Sequence, residues 1–210
     1  MTSKALVVFT KAPVKGQVKT RLAVSVGDDE ALQAHVRLVE SALTRLSTMH
    51  GVRVSLCLSQ DHAAGRAWSH QFKVSLSVQA GCGLGVRMAG VFSELFDRPQ
   101  GGIDQIVLVG GDCPCINEEY VDQAFRALDT YPVVLGPTED GGYGLIGMRR
   151  QEFTQAKALF NNIEWGSDRV MIQTRAALRS TNCPWQELDM IWDVDDAADW
   201  QRYLNEFGSI

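Results

Sequence analysis

No stretch of this 210-residue sequence approaches the roughly 20 consecutive apolar residues of a membrane span. The opening residues MTSKALVVFTKAPVK also lack the long apolar segment of a secretory signal, so the expectation is a cytoplasmic protein with no membrane span. Cysteine is unpatterned: Cys57, Cys82, Cys113, Cys115 and Cys183 are odd in number and scattered, which points to reduced thiols rather than a disulfide framework. Cys113 and Cys115 form a CxC pair, but no second Cys or His pair stands at zinc-finger spacing. The histidines His35, His50, His62 and His70 show no HExxH spacing, and surface or helix-packing roles are expected for them. Excess positive charge is missing too. A formal net charge of −5 argues against a surface built to hold nucleic acid, so any polyanion site must be local. There is no internal repeat, linker or low-complexity segment.

What is present is the composition of one packed domain, with 45% hydrophobic and 21% charged residues, and a single domain over residues 1–210 is expected. Apolar, β-branched runs read as strands: ALVVF, VRVSLCL, KVSLSV, QIVLVG, PVVLG and YGLIGM. Between them, DDEALQAHVRLVESALTRLSTM has apolar residues at helical spacing behind Asp28, Asp29 and Glu30. Shorter helices are predicted over 61–70, 85–96, 117–129, 167–179 and 196–206. Strands alternating with helices predict a mostly parallel sheet covered on both faces, with ligands beyond the carboxyl ends of the strands.

Four places just after strands stand out. In FTKAPVKGQVKTRL, Lys11, Lys15, Lys19 and Arg21 surround Pro13 and Gly16. Backbone N–H groups at a Gly-containing loop, together with Lys and Arg, suit phosphate oxygens. The loop is neither a Walker A motif nor GxGxxG, and a solvated connection is the plain alternative. In IVLVGGDCPCI, an apolar strand runs into Gly110, Gly111 and Asp112. An acid there needs a compensating cation, and a Mg²⁺ carried by a diphosphate supplies one; a helix cap is the other reading, for which Asn117 is better placed. In GPTEDGGYGLIGM, Glu139 and Asp140 stand in a hairpin-like turn whose Gly141 and Gly142 let a substrate lie on bare backbone beside Tyr143. In DMIWDVDDAADW, helix capping covers Asp196 and in part Asp195. Asp193 and Asp195 alternate in an extended pattern, so both can present carboxylates to a metal.

These loops, with QAGCGLGVRM at 79–88 and FNNIEWGSDRVMIQTR at 160–175, resemble the nucleotide-diphospho-sugar transferase superfamily of glycosyltransferase-A fold. The chain is more closely similar to the uncharacterised DUF2064 family of glycosyltransferase-like proteins, some of which are linked to arsenosugar biosynthesis. The resemblance covers almost the whole chain and implies a Rossmann-like three-layer α/β/α sandwich. It implies nucleotide and phosphate contacts from Lys11, Gly16, Lys19, Thr20, Arg21, Gly85, Arg87 and Gly111. Substrate contacts would come from Gly141, Gly142, Tyr143 and Trp165, and metal contacts from Asp112 with Asp195 or Asp193. Where the family pattern has acids before LG and RM, this chain has Gly83 and Val86, and Asp196 stands in place of a Thr.

The expected activity is Mg²⁺- or Mn²⁺-dependent transfer of a sugar from a nucleotide-sugar to a small hydroxylated acceptor. Asp140 would be the general base or sugar partner, with Glu164 second. A nucleotidyltransferase joining an NTP to a phosphorylated acceptor is the alternative within the fold, and a non-catalytic nucleotide-binding regulator is the alternative outside enzymes. A homodimer is left open. Lys19→Ala and Arg21→Ala are both expected to weaken nucleotide binding with little loss of folding.

Overall fold

The computed structural model describes residues 2–97 and 102–208. The apolar runs form the strands β1 (Lys4–Thr10), β2 (Val52–Leu58), β3 (Ser75–Val78), β4 (Gln105–Gly110), β5 (Val133–Pro137), β6 (Tyr143–Arg149) and β7 (Trp185–Glu187). They make one sheet in the order β3-β2-β1-β4-β6-β5-β7. All pairings between these strands are parallel except those of β6 with β4 and β5. Only residues 138–142 separate β5 from β6, too few for a crossover, so the two must run antiparallel.

The helices are α1 (Thr20–Val26), α2 (Asp28–Leu46), α3 (Ala63–Phe72), α4 (Leu84–Phe96), α5 (Glu118–Leu128), α6 (Phe153–Ala156), α7 (Val170–Ser180) and α8 (Ala197–Phe207). A 3₁₀ turn at Lys157–Phe160 continues α6. Helix starts follow the local chemistry: Asn117 accepts from Tyr120 N at 2.9 Å, and Asp196 with Asp199 closes a capping box on α8. Three elements escape the sequence reading: α1, the α6 and 3₁₀ turn, and β7. Each is too short to show a period, and α1 also lies inside the basic segment.

The pleat of the central strands feeds two cores. Leu6, Val8, Val107 and Val109 pack with Val39, Leu43 and Phe125 on one face, whereas Ala5, Val7, Ile106 and Leu108 pack with Phe92, Met171 and Leu178 on the other. This is the expected single-domain three-layer α/β/α sandwich. A third cluster joins Leu22 of α1 and Leu38 of α2 to Trp192, Val194, Trp200 and Tyr203. Full burial of Leu22 contributes roughly 1.5–3 kcal/mol, and it fixes the basic segment against the acidic one at the C-terminal end of the sheet. Among the described residues, no helix is long and apolar enough to cross a membrane.

Candidate active site

The chain leaves β1 for β2 on one side and later returns to β4 on the other, so a crevice opens beyond the carboxyl ends of β1 and β4. The segment after β1 is not a free loop. Ala12 N donates to Ser59 Oγ at 3.0 Å, and buried His35 of α2 donates through Nε2 to the Lys11 carbonyl, also at 3.0 Å. Burial depresses the His35 pKa, so the ring stays neutral while holding the loop. His35 is a positioning residue that the sequence reading assigned to surface or helix packing, because nothing local shows that α2 passes behind this loop.

Lys19 caps α1 in a left-handed conformation, with φ of 46°. Such a backbone is uncommon for a residue with a Cβ and persists where its surroundings dictate it. Its side chain is 5% exposed, and its Nζ donates to Asp112 Oδ2 at 2.6 Å. Burial alone would lower the lysine pKa and raise that of the acid. The pair overrides burial in both: Asp112, with Asp195 and Asp193 beyond it, holds the lysine pKa up, and Lys19 holds the Asp112 carboxyl below the usual range. The expectation that Lys19→Ala spares folding is therefore corrected, because removing a buried cation leaves Asp112 uncompensated.

Arg21, one step along α1, donates to Asp195 Oδ2 at 2.5 Å, and its side chain is 67% exposed. Val194 N donates to Asp112 O at 3.1 Å and ties the acidic segment to the β4 loop. Asp193, on that tied segment, has its pKa pushed up to about 7, first by burial and then by Asp112 and Asp140.

Asp140 is held by its own turn. Thr138 Oγ1 donates to Asp140 Oδ1 at 2.5 Å, and Gly142 N donates to the same oxygen at 2.9 Å. Gly141, at φ of 86°, lies so close to α7 that a Cβ would come within 2.3 Å of Asp168 O. Met171 N completes that contact by donating to Gly141 O at 2.9 Å.

Asp112, Asp140, Gly142, Tyr143, Trp165 and Asp193 border one cavity of about 260 Å³. The Tyr143 and Trp165 rings meet edge-on, with centroids 6.2 Å apart. Gly85 backs the indole, since a Cβ there would fall 2.8 Å from Trp165 Nε1. Gly111 is a packing glycine, its missing Cβ 3.0 Å from Thr10 Oγ1. Other predicted residues stay outside the cavity. Glu164 is exposed and pairs with Arg169 at 3.3 Å, Arg87 donates to Gly81 O at 3.0 Å, and Lys11 reaches Gln17 O at 3.5 Å. Gly16 and Thr20 are exposed on either side of Lys19.

A family model described as "Uncharacterized protein conserved in bacteria (DUF2064)" matches residues 42–167. The chain belongs to the DUF2064 family. Among solved structures it is similar to a protein described as a putative nucleotide-diphospho-sugar transferase from Desulfovibrio desulfuricans G20. That match has 30% identity and a TM-score of 0.87, and covers 100% of this chain and 90% of the other. More distant likeness, of fold alone, reaches a CMP:2-keto-3-deoxy-manno-octonic acid synthetase complexed with CTP, at 13% identity and a TM-score of 0.64 over 98% and 99% of the two chains. It also reaches Rv0371C of Mycobacterium tuberculosis H37Rv in complex with manganese, at 16% identity and a TM-score of 0.60 over 97% and 99%. No curated protein matches the chain. For this DUF2064 member, the family and the sheet order agree with the resemblance read from the loops.

Proposed function

We infer that this DUF2064 protein is a divalent-metal-dependent transferase that takes a nucleotide-sugar and passes the sugar to a hydroxylated small molecule. The observation that carries this reading is the direct Lys19–Asp112 contact at the β1/β4 crevice, where a buried ammonium and a partly buried carboxylate each occupy the place of a ligand's opposite charge. A nucleoside diphosphate with its metal replaces both partners at once: phosphate oxygens would take Lys19 and Arg21, and the cation would take Asp112.

The residues fit such a metal. Among the described residues no three acid, Cys or His groups form a ready-made cage. Mg²⁺ and its like are commonly held by one or two carboxylates plus substrate phosphates, and Asp112 with Asp193 supplies the two. Asp193 is the better second ligand because it borders the same cavity as Asp112, which Asp195 does not. The elevated pKa of Asp193 comes first from burial and then from the like charges of Asp112 and Asp140, both of which a bound cation would offset. Bound there, the metal would offset negative charge on the departing diphosphate.

The chain's own residues do the rest. Lys19 and Arg21 stabilise the leaving group, and the Asp140 turn holds one carboxylate oxygen fixed while the other can accept the acceptor's proton. The acceptor oxygen bonds to the anomeric carbon as the bond from that carbon to phosphate oxygen breaks, and the nucleoside diphosphate leaves. The second reading, nucleotidyl transfer from an NTP, is favoured by two strong cations two positions apart, Lys19 and Arg21, enough to hold a triphosphate. The same Mg²⁺-containing assay decides between them: a nucleoside diphosphate released from a nucleotide-sugar supports the first reading, and pyrophosphate released from an NTP and a sugar phosphate supports the second. Thermal stabilisation by nucleotides with neither product would overturn both in favour of a binding protein.

A further inference from the structure

We propose that the acceptor taken by this site is an alcohol with a compact apolar body, its hydroxyl directed at the carboxylates, rather than a polyol. This rests on the transferase reading above and concerns the cavity beyond the three acids. Its apolar lining includes Phe9, Met88, Leu145, Val170 and the rings of Tyr143 and Trp165. The lining contains no Asn, Gln, His, Lys or Arg. Its charged groups are Asp112, Asp140 and Asp193, acceptors that select a donor such as a hydroxyl.

The remaining polar side chains of the wall are either bonded elsewhere or shielded from the space. Thr138 Oγ1 donates to Asp140. Ser167 Oγ donates to Glu164 O at 2.7 Å and accepts from Arg169 N at 3.2 Å. The Tyr143 hydroxyl is enclosed within the protein, and the Nε1 edge of Trp165 lies against Gly85. A sugar or polyol pushed into this space would strip water from several hydroxyls, and only those that reach the carboxylate end would regain an acceptor. Groups that bury polar atoms without replacement bonds bind poorly. An apolar body of ring size fills the same volume and gains by leaving water. Two aromatic rings set at 86° to each other form a corner that receives a flat or chair-shaped group on two sides.

The test uses the full chain with Mg²⁺ and follows binding of benzyl alcohol, cyclohexylmethanol and xylitol by ligand-observed NMR, in the presence and absence of a nucleoside diphosphate. Benzyl alcohol and cyclohexylmethanol are expected to bind at least about tenfold more tightly than xylitol. Trp165→Ala is expected to weaken both alcohols by about fivefold or more. Because that variant alters a half-buried ring, Leu84→Gln serves as a second probe: Leu84 is 42% exposed at the cavity rim and can be made polar without disturbing the core. It should shift the preference toward xylitol. Xylitol binding as tightly as benzyl alcohol, or alcohol binding unchanged in both variants, overturns the proposal. Nucleotide binding by the unaltered protein is read in the same samples. If the alcohols bind as expected and no nucleotide does, the apolar site stands and the transferase reading falls. If nucleotides bind and the alcohols do not, the transferase reading stands and the apolar-acceptor proposal falls.

Discussion

Lys19 Nζ sits 2.6 Å from Asp112 Oδ2, so a cation expected to meet phosphate and a carboxylate expected to meet metal are bonded to each other. Arg21, two residues beyond Lys19, repeats the arrangement with Asp195 of the C-terminal acidic segment at 2.5 Å. Each pair already neutralises the charge that a metal or a phosphate would meet, so either ligand alone competes with the partner in place.

Mg²⁺ and nucleotide should therefore bind together far better than singly. Calorimetric titration with Mg²⁺ alone, and with a nucleoside diphosphate in EDTA, is expected to show weak binding in both cases. Each should raise the affinity for the other by about tenfold or more, a coupling that is necessarily reciprocal. Additive, independent binding would mean that the ion pair is not exchanged.

Lys19→Ala and Arg21→Ala should separate binding from folding. Both are expected to weaken nucleotide affinity. Lys19→Ala should also lower the Tm, because it strands a carboxylate beside a cavity; with Asp112 about one-third exposed, the loss falls below the roughly 3–5 kcal/mol typical of fully buried pairs. Arg21→Ala, at a side chain 67% exposed, should move the Tm little. Differential scanning calorimetry of the two variants checks the contrast.

Asp193 should give the free protein a stability that falls as pH rises. Its folded pKa, pushed up to about 7, lies above its unfolded value near 3.8, so between those limits the folded state holds more protons. Stability from this group is present at low pH and lost as pH climbs through 7. Asp193→Asn should thus raise the Tm relative to wild type at pH 8, by about 3 °C for each kcal/mol relieved, with the difference shrinking by pH 5. A constant difference at both pH values would show that Asp193 is not charge-crowded.

Thr138 should matter through Asp140. Thr138→Val removes the donor to Asp140 Oδ1 while keeping the buried shape, and a loss of about tenfold in kcat with KM for the nucleotide-sugar nearly unchanged is expected. Thr138→Ser, which keeps the hydroxyl, should restore most of the rate. An equal loss in both variants would mark Thr138 as a packing residue only.

Much of this molecule was readable along the chain. Six of the seven strands, the long helix opening at Asp28 and the caps at Asn117 and Asp196 follow from local pattern, because their period, capping oxygen or charge acts within a few residues. The candidate acids and cations were also visible, since each directly follows an apolar strand or opens a helix. Short elements were not: α1 carries too little period to be told from a loop, although burial of Leu22 against Val194 and Trp200 makes it a fixed platform.

The sequence by itself determined the longer elements, the sandwich and the chemical types gathered at one end of the sheet. The tertiary structure alone decided their pairing. Residues 19 and 112 meet because β1 and β4 are neighbours in the sheet, and residues 35 and 11 meet because α2 folds back behind the first loop. The Glu164 carboxylate is drawn off to Arg169. Electrostatic energy depends on distance through space, and desolvation depends on what surrounds a group on all sides; neither is written in the order of residues.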